Sequence, residues 1–116
     1  MGKGRDFPDE WGNDPTVQTM RRMFSRLEKA QSQLLDSLSI APLHPRLRKV
    51  RTEARDLFEM LWPLALQRGI VSGEEQTVLL YLSCLKHSLK REGFAVPDHG
   101  DAKEEEMRKF LKEALR

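Results

Sequence analysis

Cysteine is nearly absent from this 116-residue chain, in which Cys84 is the only one. A single cysteine excludes an internal disulfide, is too little for a thiolate metal site, and fits a reducing compartment. Long apolar runs are also missing, since no stretch reaches the roughly 18 to 20 apolar residues that a membrane span requires. The opening residues, MGKGRDFPDEW, lack the apolar segment of a signal peptide. We therefore expect a cytoplasmic protein without membrane association.

Motifs for catalysis and cofactor binding are missing as well. The chain has no glycine-rich phosphate loop and no partnered histidine motif. Cys84 and His87 are three residues apart, but a helix would turn their side chains about 60° from each other, without further converging groups. Asp98, His99 and Asp101 form a loose cluster that fits turn and cap chemistry better than a metal site. We expect no enzyme activity, no cofactor and no metal.

Neither sign of charge dominates the composition. Twenty lysines and arginines oppose 18 aspartates and glutamates, which leaves a net charge of +2. No field of the whole molecule therefore favours nucleic acid, and any such role must depend on local distribution. Apolar residues make up 39% of the chain, enough to bury one core.

The first fifteen residues contain three glycines and two prolines and show no helical periodicity. This composition predicts a flexible N-terminal tail at residues 1–15, followed by a single helical bundle domain at residues 16–116. Phe7 and Trp11 lie four residues apart among acidic residues in the tail. Two interpretations stay open: a short docking motif for a partner's groove, or aromatics packed loosely against the body, which is the commoner case.

A first helix is predicted from Pro15 onward, with Asp14 as its cap and the proline at its first position. Apolar residues then alternate at intervals of three and four, the spacing of one helical face. The face is wide enough to favour a globular bundle over a coiled coil. The predicted seam comprises Val17, Met20, Phe24, Leu27, Gln31, Leu34 and Leu38, widened by Met23, Ala30 and Leu35.

Three further helices follow from the same spacing and from local signals. Pro45 opens the second helix and Gly69 ends it. A capping box of Ser72 with Glu75 starts the third helix, and Gly93 ends it. A short fourth helix begins near residue 101. With no strand candidate, the pattern predicts an all-α antiparallel bundle of three long helices and a short C-terminal fourth.

The third predicted helix has two faces that avoid water, which indicates neighbours on two sides. We expect helices one and two to cover its main apolar face. The other face, covered by helix four or by a second copy of the chain, is the candidate for self-association. The main face comprises Val78, Leu79, Leu82, Leu85 and Leu89, and the self-association candidates are Thr77, Leu80, Tyr81, Cys84 and Ser88.

Basic residues concentrate at the second helix, where residues 44–69 hold six basic against three acidic side chains. Antiparallel packing is expected to bring the start of helix two beside the end of helix three. Arginines near a tryptophan suit an acidic partner or phosphates. Alternatively, these are solvated charges, neutralised by Glu59 next to Arg55 and by Glu104, Glu105 and Glu106. The candidates are Arg46, Arg48, Arg51, Arg55, Trp62, Lys86, Lys90 and Arg91.

These patterns predict a small protein–protein interaction or adaptor module that self-associates or binds another protein. The alternative is a nucleic-acid-binding accessory protein that uses the basic end of the bundle. No stretch carries a fingerprint specific to one protein family.

Overall fold

The computed structural model describes residues 15–97 and 102–116. This part of the chain forms four α-helices and contains no strand. The prediction of an all-α fold with three long helices and a short C-terminal fourth is confirmed. The predicted tail, with its Phe7 and Trp11, lies outside the described residues except for Pro15. The helices are α1 (Pro15–Ser37), α2 (Leu47–Gln67), α3 (Glu74–Arg91) and α4 (Ala102–Ala114).

The helix ends follow local sequence signals. α1 begins at Pro15, as predicted. α2 begins at Leu47, two residues later than Pro45, because the backbone N–H of Leu47 donates to the His44 carbonyl (3.0 Å) in a preceding turn. Gly69 ends α2 with a φ of 73°, a left-handed conformation that glycine adopts without steric cost.

The start of α3 uses a different side chain from the predicted one. Gln76, rather than Glu75, reaches back to Ser72, and its Oε1 accepts from the Ser72 backbone N (2.6 Å) and hydroxyl (2.7 Å). Gly73 is the cap residue. At the other end, Gly93 terminates α3 as predicted, with a φ of 93°. The pairing of Asp101 with Glu104 is not described, because Asp101 lies outside the described ranges.

α3 is the central helix, since α1, α2 and α4 all pack against it. Both predicted faces of α3 are covered: Leu85 and Leu89 of the main face are 0% exposed in a cluster with residues of α1 and α2, as expected. Leu80 and Cys84 of the second face are also 0% exposed, in a cluster that joins Met107 of α4 with residues of α2. Small residues explain this, because Cys84 shares a buried cluster with Ala65 of α2, and small side chains let helices approach closely. All five self-association candidates, Thr77, Leu80, Tyr81, Cys84 and Ser88, are buried inside the chain.

The buried face of α1 is also displaced from the predicted seam. Met23, Leu27 and Leu35 are buried, whereas Phe24, a predicted seam residue, is 46% exposed. The reason is that α1 packs mainly against one neighbour, α3, so only part of its wide apolar stripe is covered. Phe24 is left at the surface.

Within the described ranges, no helix is both long enough and apolar enough to cross a membrane.

Because the core is built around α3, shortening a buried side chain of this helix should strongly lower the free energy of unfolding. Leu80→Ala should lower the free energy of unfolding by about 2–5 kcal/mol, because it removes buried contacts and leaves a cavity. Met60→Ala is the control, since Met60 is 53% exposed, and it should change stability by less than about 0.5 kcal/mol. Urea denaturation of both variants measures this, and equal stabilities would contradict the central position of Leu80.

Candidate functional site

The start of α2 lies beside the end of α3. Arg46 donates from Nη1 to the Glu92 backbone carbonyl at 2.9 Å, and Lys49 Nζ lies 3.1 Å from the Glu92 carboxylate. The antiparallel placement predicted for these two helix ends is therefore correct. Two of the basic side chains at this end are already engaged by one residue of the same chain.

The predicted basic end does not form a single surface. Arg48, Arg51 and Arg55 line a groove between α1 and α2, which we call the α1–α2 groove. Lys86 and Lys90 line a separate cavity between α3 and α4, the α3–α4 cleft. The reason is helix geometry: the three arginines project from the flank of α2 nearest α1, while the two lysines project from α3 toward α4. The predicted group is therefore divided between the two sites.

Arg91, the remaining basic candidate, lines neither site. It lies in a shallow depression together with the acidic residues Glu53 and Asp56. Its charge is therefore placed among acidic neighbours rather than beside the arginines of α2.

The α1–α2 groove has a volume of about 780 Å³. It exists because α1 and α2 both pack on α3 and make little direct contact with each other. Leu27 and Phe58 contribute apolar surface, Tyr81 of α3 reaches it from below, and the exposed ring of Phe24 lies at its edge. The groove thus combines an aromatic floor with an open top.

Tyr81 connects the floor of the groove to α1. Its hydroxyl donates to Oε1 of Gln31, and its ring packs edge-on against Phe58 with centroids 5.5 Å apart. Burial raises the pKa of Tyr81 above its ordinary value, and the nearby Arg55 and Arg51 oppose this shift only in part. The phenol therefore stays protonated at neutral pH and acts as a hydrogen-bond donor within the floor.

The arginines of the groove are weakly engaged by the chain itself. Arg51 Nη2 donates to the Pro42 carbonyl at a long 3.4 Å. Among the described residues, the guanidinium groups of Arg48 and Arg55 have neither an ion pair nor a hydrogen bond, so the expected pairing of Arg55 with Glu59 does not form. Three carboxylates, those of Glu28, Asp56 and Glu59, line the same groove. The groove is therefore of mixed charge.

Trp62 does not present the free surface that base stacking requires. Its half-buried ring stacks on Phe58, with centroids 5.4 Å apart and planes at 17°. Its buried indole nitrogen has no hydrogen-bond partner in the described structure. Trp62 therefore contributes to the core beside the groove.

The α3–α4 cleft is smaller, with a volume of about 370 Å³. Lys86 Nζ forms an ion pair with Glu104 at 2.5 Å, so the acidic start of α4 neutralises one predicted cation. Glu105 instead pairs with Arg108 of its own helix. The expected neutralisation of the basic end by the acidic start of α4 is thus confirmed at Lys86, through Glu104, whereas Glu105 pairs within α4.

Cys84 and His87 do not share a site. Cys84 is buried, and burial raises the pKa of its thiol to about 12. His87 lines the α3–α4 cleft, which Cys84 does not reach. Within residues 21–97 and 102–116, no three histidine, cysteine or acidic side chains are grouped so that they could hold a metal. Asp98, His99 and Asp101 lie outside the described residues.

Among the groove residues that the sequence did not assign to a site are Phe24 and Gln31, whereas Tyr81 was predicted only as a self-association candidate. Phe24 and Gln31 were placed in the seam of α1, and the hydroxyl of Tyr81 was given no partner. The polar Gln31 within an apolar seam was a signal, because a buried amide requires a hydrogen-bond partner. The sequence does not indicate that this partner lies 50 residues away.

No family model, no curated protein and no solved structure matches this chain. Since a helical bundle by itself does not specify an activity, the function has to be inferred from the groove and the cleft.

Cys84 should react slowly with thiol reagents in the folded protein, because its thiol is buried and its pKa is about 12. Labelling at pH 8 should become fast only in denaturant. A Cys84→Ala variant carrying Ser25→Cys, at an exposed position of α1, should label quickly without denaturant. Rapid labelling of the native Cys84 would contradict its burial.

His87 should make stability depend on pH. Burial, followed by the nearby Arg91, lowers the pKa of His87 below its ordinary value of 6.5. The unfolded chain therefore binds a proton that the folded chain does not, and the free energy of unfolding should fall as the pH drops below about 6.5 and level off below the lowered pKa. His87→Gln should lose this part of the pH dependence in urea titrations between pH 7.5 and 5. Identical pH profiles would contradict the assignment.

Proposed function

We propose that this protein is a protein–protein interaction module that binds an amphipathic helical segment of a partner protein in the α1–α2 groove, with carboxylates of that segment facing Arg48 and Arg55. The observation that carries the proposal is the pair of guanidinium groups, Arg48 and Arg55, that have no partner in the described structure and flank an aromatic floor. Arginine binds carboxylates through two parallel hydrogen bonds, and arginine and aromatic residues are enriched at the centres of protein interfaces.

The dimensions of the groove suit a helix. Its α1 side runs from Phe24 to Gln31 and its α2 side from Arg48 to Glu59, which at 1.5 Å per residue is roughly 10 to 17 Å, or two to three helical turns. A helix laid in a groove between two helices uses apolar anchors at positions i, i+3 or i+4 and i+7. The exposed ring of Phe24 offers apolar surface for such anchors, and the buried Leu27 and Phe58 form the base of the groove beneath them.

The mixed charge of the groove favours a protein over a nucleic acid. Glu28, Asp56 and Glu59 would repel a phosphate backbone, whereas a protein segment that carries both signs of charge complements them. The division of the basic residues among separate surfaces also removes the continuous cationic track that nucleic-acid binding uses. We therefore place the nucleic-acid interpretation second.

The proposal is tested by reversing the two unpartnered charges. Arg48→Glu/Arg55→Glu and the matched control Lys29→Glu/Lys109→Glu change net charge equally, but the control positions are exposed and outside the groove. Each form is used to capture partners from the source cell, and the captured protein is then purified and titrated calorimetrically. The groove variant should weaken binding at least tenfold, since it turns attraction into repulsion, while the control should bind like the unmodified chain.

Three outcomes would overturn this proposal. The first is equal binding of the partner by both double variants. The second is capture of nucleic acid with an affinity that falls steeply with salt, roughly 40-fold between 50 and 200 mM for three neutralised phosphates. The third is a concentration-dependent mass in sedimentation that the groove variant abolishes, which would make a second copy of the chain the occupant.

A further inference from the structure

The α3–α4 cleft has the lining of a small-molecule site and plays no part in the proposed protein binding. Leu111 and Leu115 of α4 and Pro97 form its apolar walls. Leu111 is buried in the core, whereas Leu115 is exposed at the mouth. The cleft's volume of about 370 Å³ lies within the range of about 300–1,000 Å³ that small-molecule sites occupy.

Cationic groups outnumber acidic ones around this cleft. Lys86, Lys90, Arg108 and Lys112 line it against a single carboxylate, that of Glu104. Glu104 is taken up by the ion pair with Lys86 at 2.5 Å. The ammonium group of Lys112 has no ion pair and no hydrogen bond among the described residues. Lys86 and Arg108 are thus held by Glu104 and Glu105, and Lys112 supplies a cation beside the apolar walls.

Ser83 adds a polar group inside the cleft. It is 6% exposed and lines the cleft from α3. No other described residue forms a hydrogen bond with its hydroxyl. Because Ser83 lines the cleft, its hydroxyl can donate a hydrogen bond to a ligand that carries an acceptor.

The size of the cleft suits a small molecule better than a peptide helix. One turn of helix with side chains is 10–12 Å across and 5.4 Å long, which amounts to roughly 400–600 Å³. At about 30 Å³ for each non-hydrogen atom, the share that a water molecule takes in the liquid, the cleft holds about twelve such atoms. This corresponds to a hydrocarbon body of about ten carbons with one carboxylate.

We propose that the α3–α4 cleft binds a medium-chain organic carboxylate, with its hydrocarbon body against Leu111 and Leu115 and its carboxylate near Lys112 and the Ser83 hydroxyl. Apolar contact supplies most of the affinity in such a site, and a few polar groups set the orientation of the ligand. The ammonium group of Lys112 favours an anion over a neutral molecule of the same length.

The test titrates sodium decanoate, which has twelve non-hydrogen atoms, into ¹⁵N-labelled protein below the concentration at which decanoate forms micelles. Backbone amide shifts report the site, with residues of the α1–α2 groove as internal controls. Decan-1-ol tests the need for the charge, and acetate tests the need for the apolar body. Lys112→Glu is compared with Lys109→Glu, an exposed position on the same helix that does not line the cleft.

Decanoate should shift amides around Ser83, Leu111 and Lys112 in a saturable manner. Lys112→Glu should weaken its binding about tenfold, while Lys109→Glu should leave it unchanged, and decanol and acetate should bind more weakly. Ser83→Leu, which places a larger side chain in the cleft, should abolish the shifts in a protein that still folds. Absence of saturable shifts, equal binding of decanol, or equal effects of the two lysine variants would overturn the proposal.

Discussion

The burial of α3 by three other helices is the constraint on which the rest of this structure depends. Leu80, Cys84, Leu85 and Leu89 are fully removed from water, and burial of apolar side chains is the main driving force of folding. Because α1 and α2 both pack on α3 and barely on each other, a groove stays open between them. Because α4 packs on another side of α3, a second cavity forms there. Both candidate sites are therefore consequences of how one helix is covered.

The two sites differ in electrostatics, and this difference separates the functions they support. The α1–α2 groove balances three arginines with three carboxylates, an arrangement that suits a protein segment with its own pattern of charges. The α3–α4 cleft places the Lys112 ammonium group beside apolar walls, in a volume of about 370 Å³ that suits a small molecule. The basic residues that were predicted to form one surface therefore lie at separate sites, because those of α2 face α1 and those of α3 face α4. A further pair, Arg46 and Lys49, is held by Glu92 and joins two helix ends.

Buried polar groups define the architecture of the groove. Gln31 and Tyr81 are hydrogen-bonded across α1 and α3, which satisfies an amide and a phenol that would be costly to bury alone. This contact holds α1 at a defined rotation, with Phe24 outside and Leu27 inside. The chemically reactive groups take no part in this arrangement: Cys84 lies in the core with a raised thiol pKa, and His87 faces the cleft.

Residues at the helix ends were enough to predict where most of the helices begin or end. Pro15, Gly69 and Gly93 act within their own turns, so the ends of α1, α2 and α3 and the antiparallel meeting of α2 with α3 could be read from the sequence. The sequence also identified the candidate arginines, but it did not show which basic residues share a surface. Only tertiary packing decided which helices cover each face of α3, that Lys86 pairs with Glu104, and that Gln31 accepts a hydrogen bond from Tyr81. The physical reason is that the spacing of apolar residues shows which face of a helix is buried only when the opposite face is clearly polar. On a helix as widely apolar as α3, the shapes of the neighbouring helices and their small residues decide which α3 residues become fully buried, and these are properties of several segments at once.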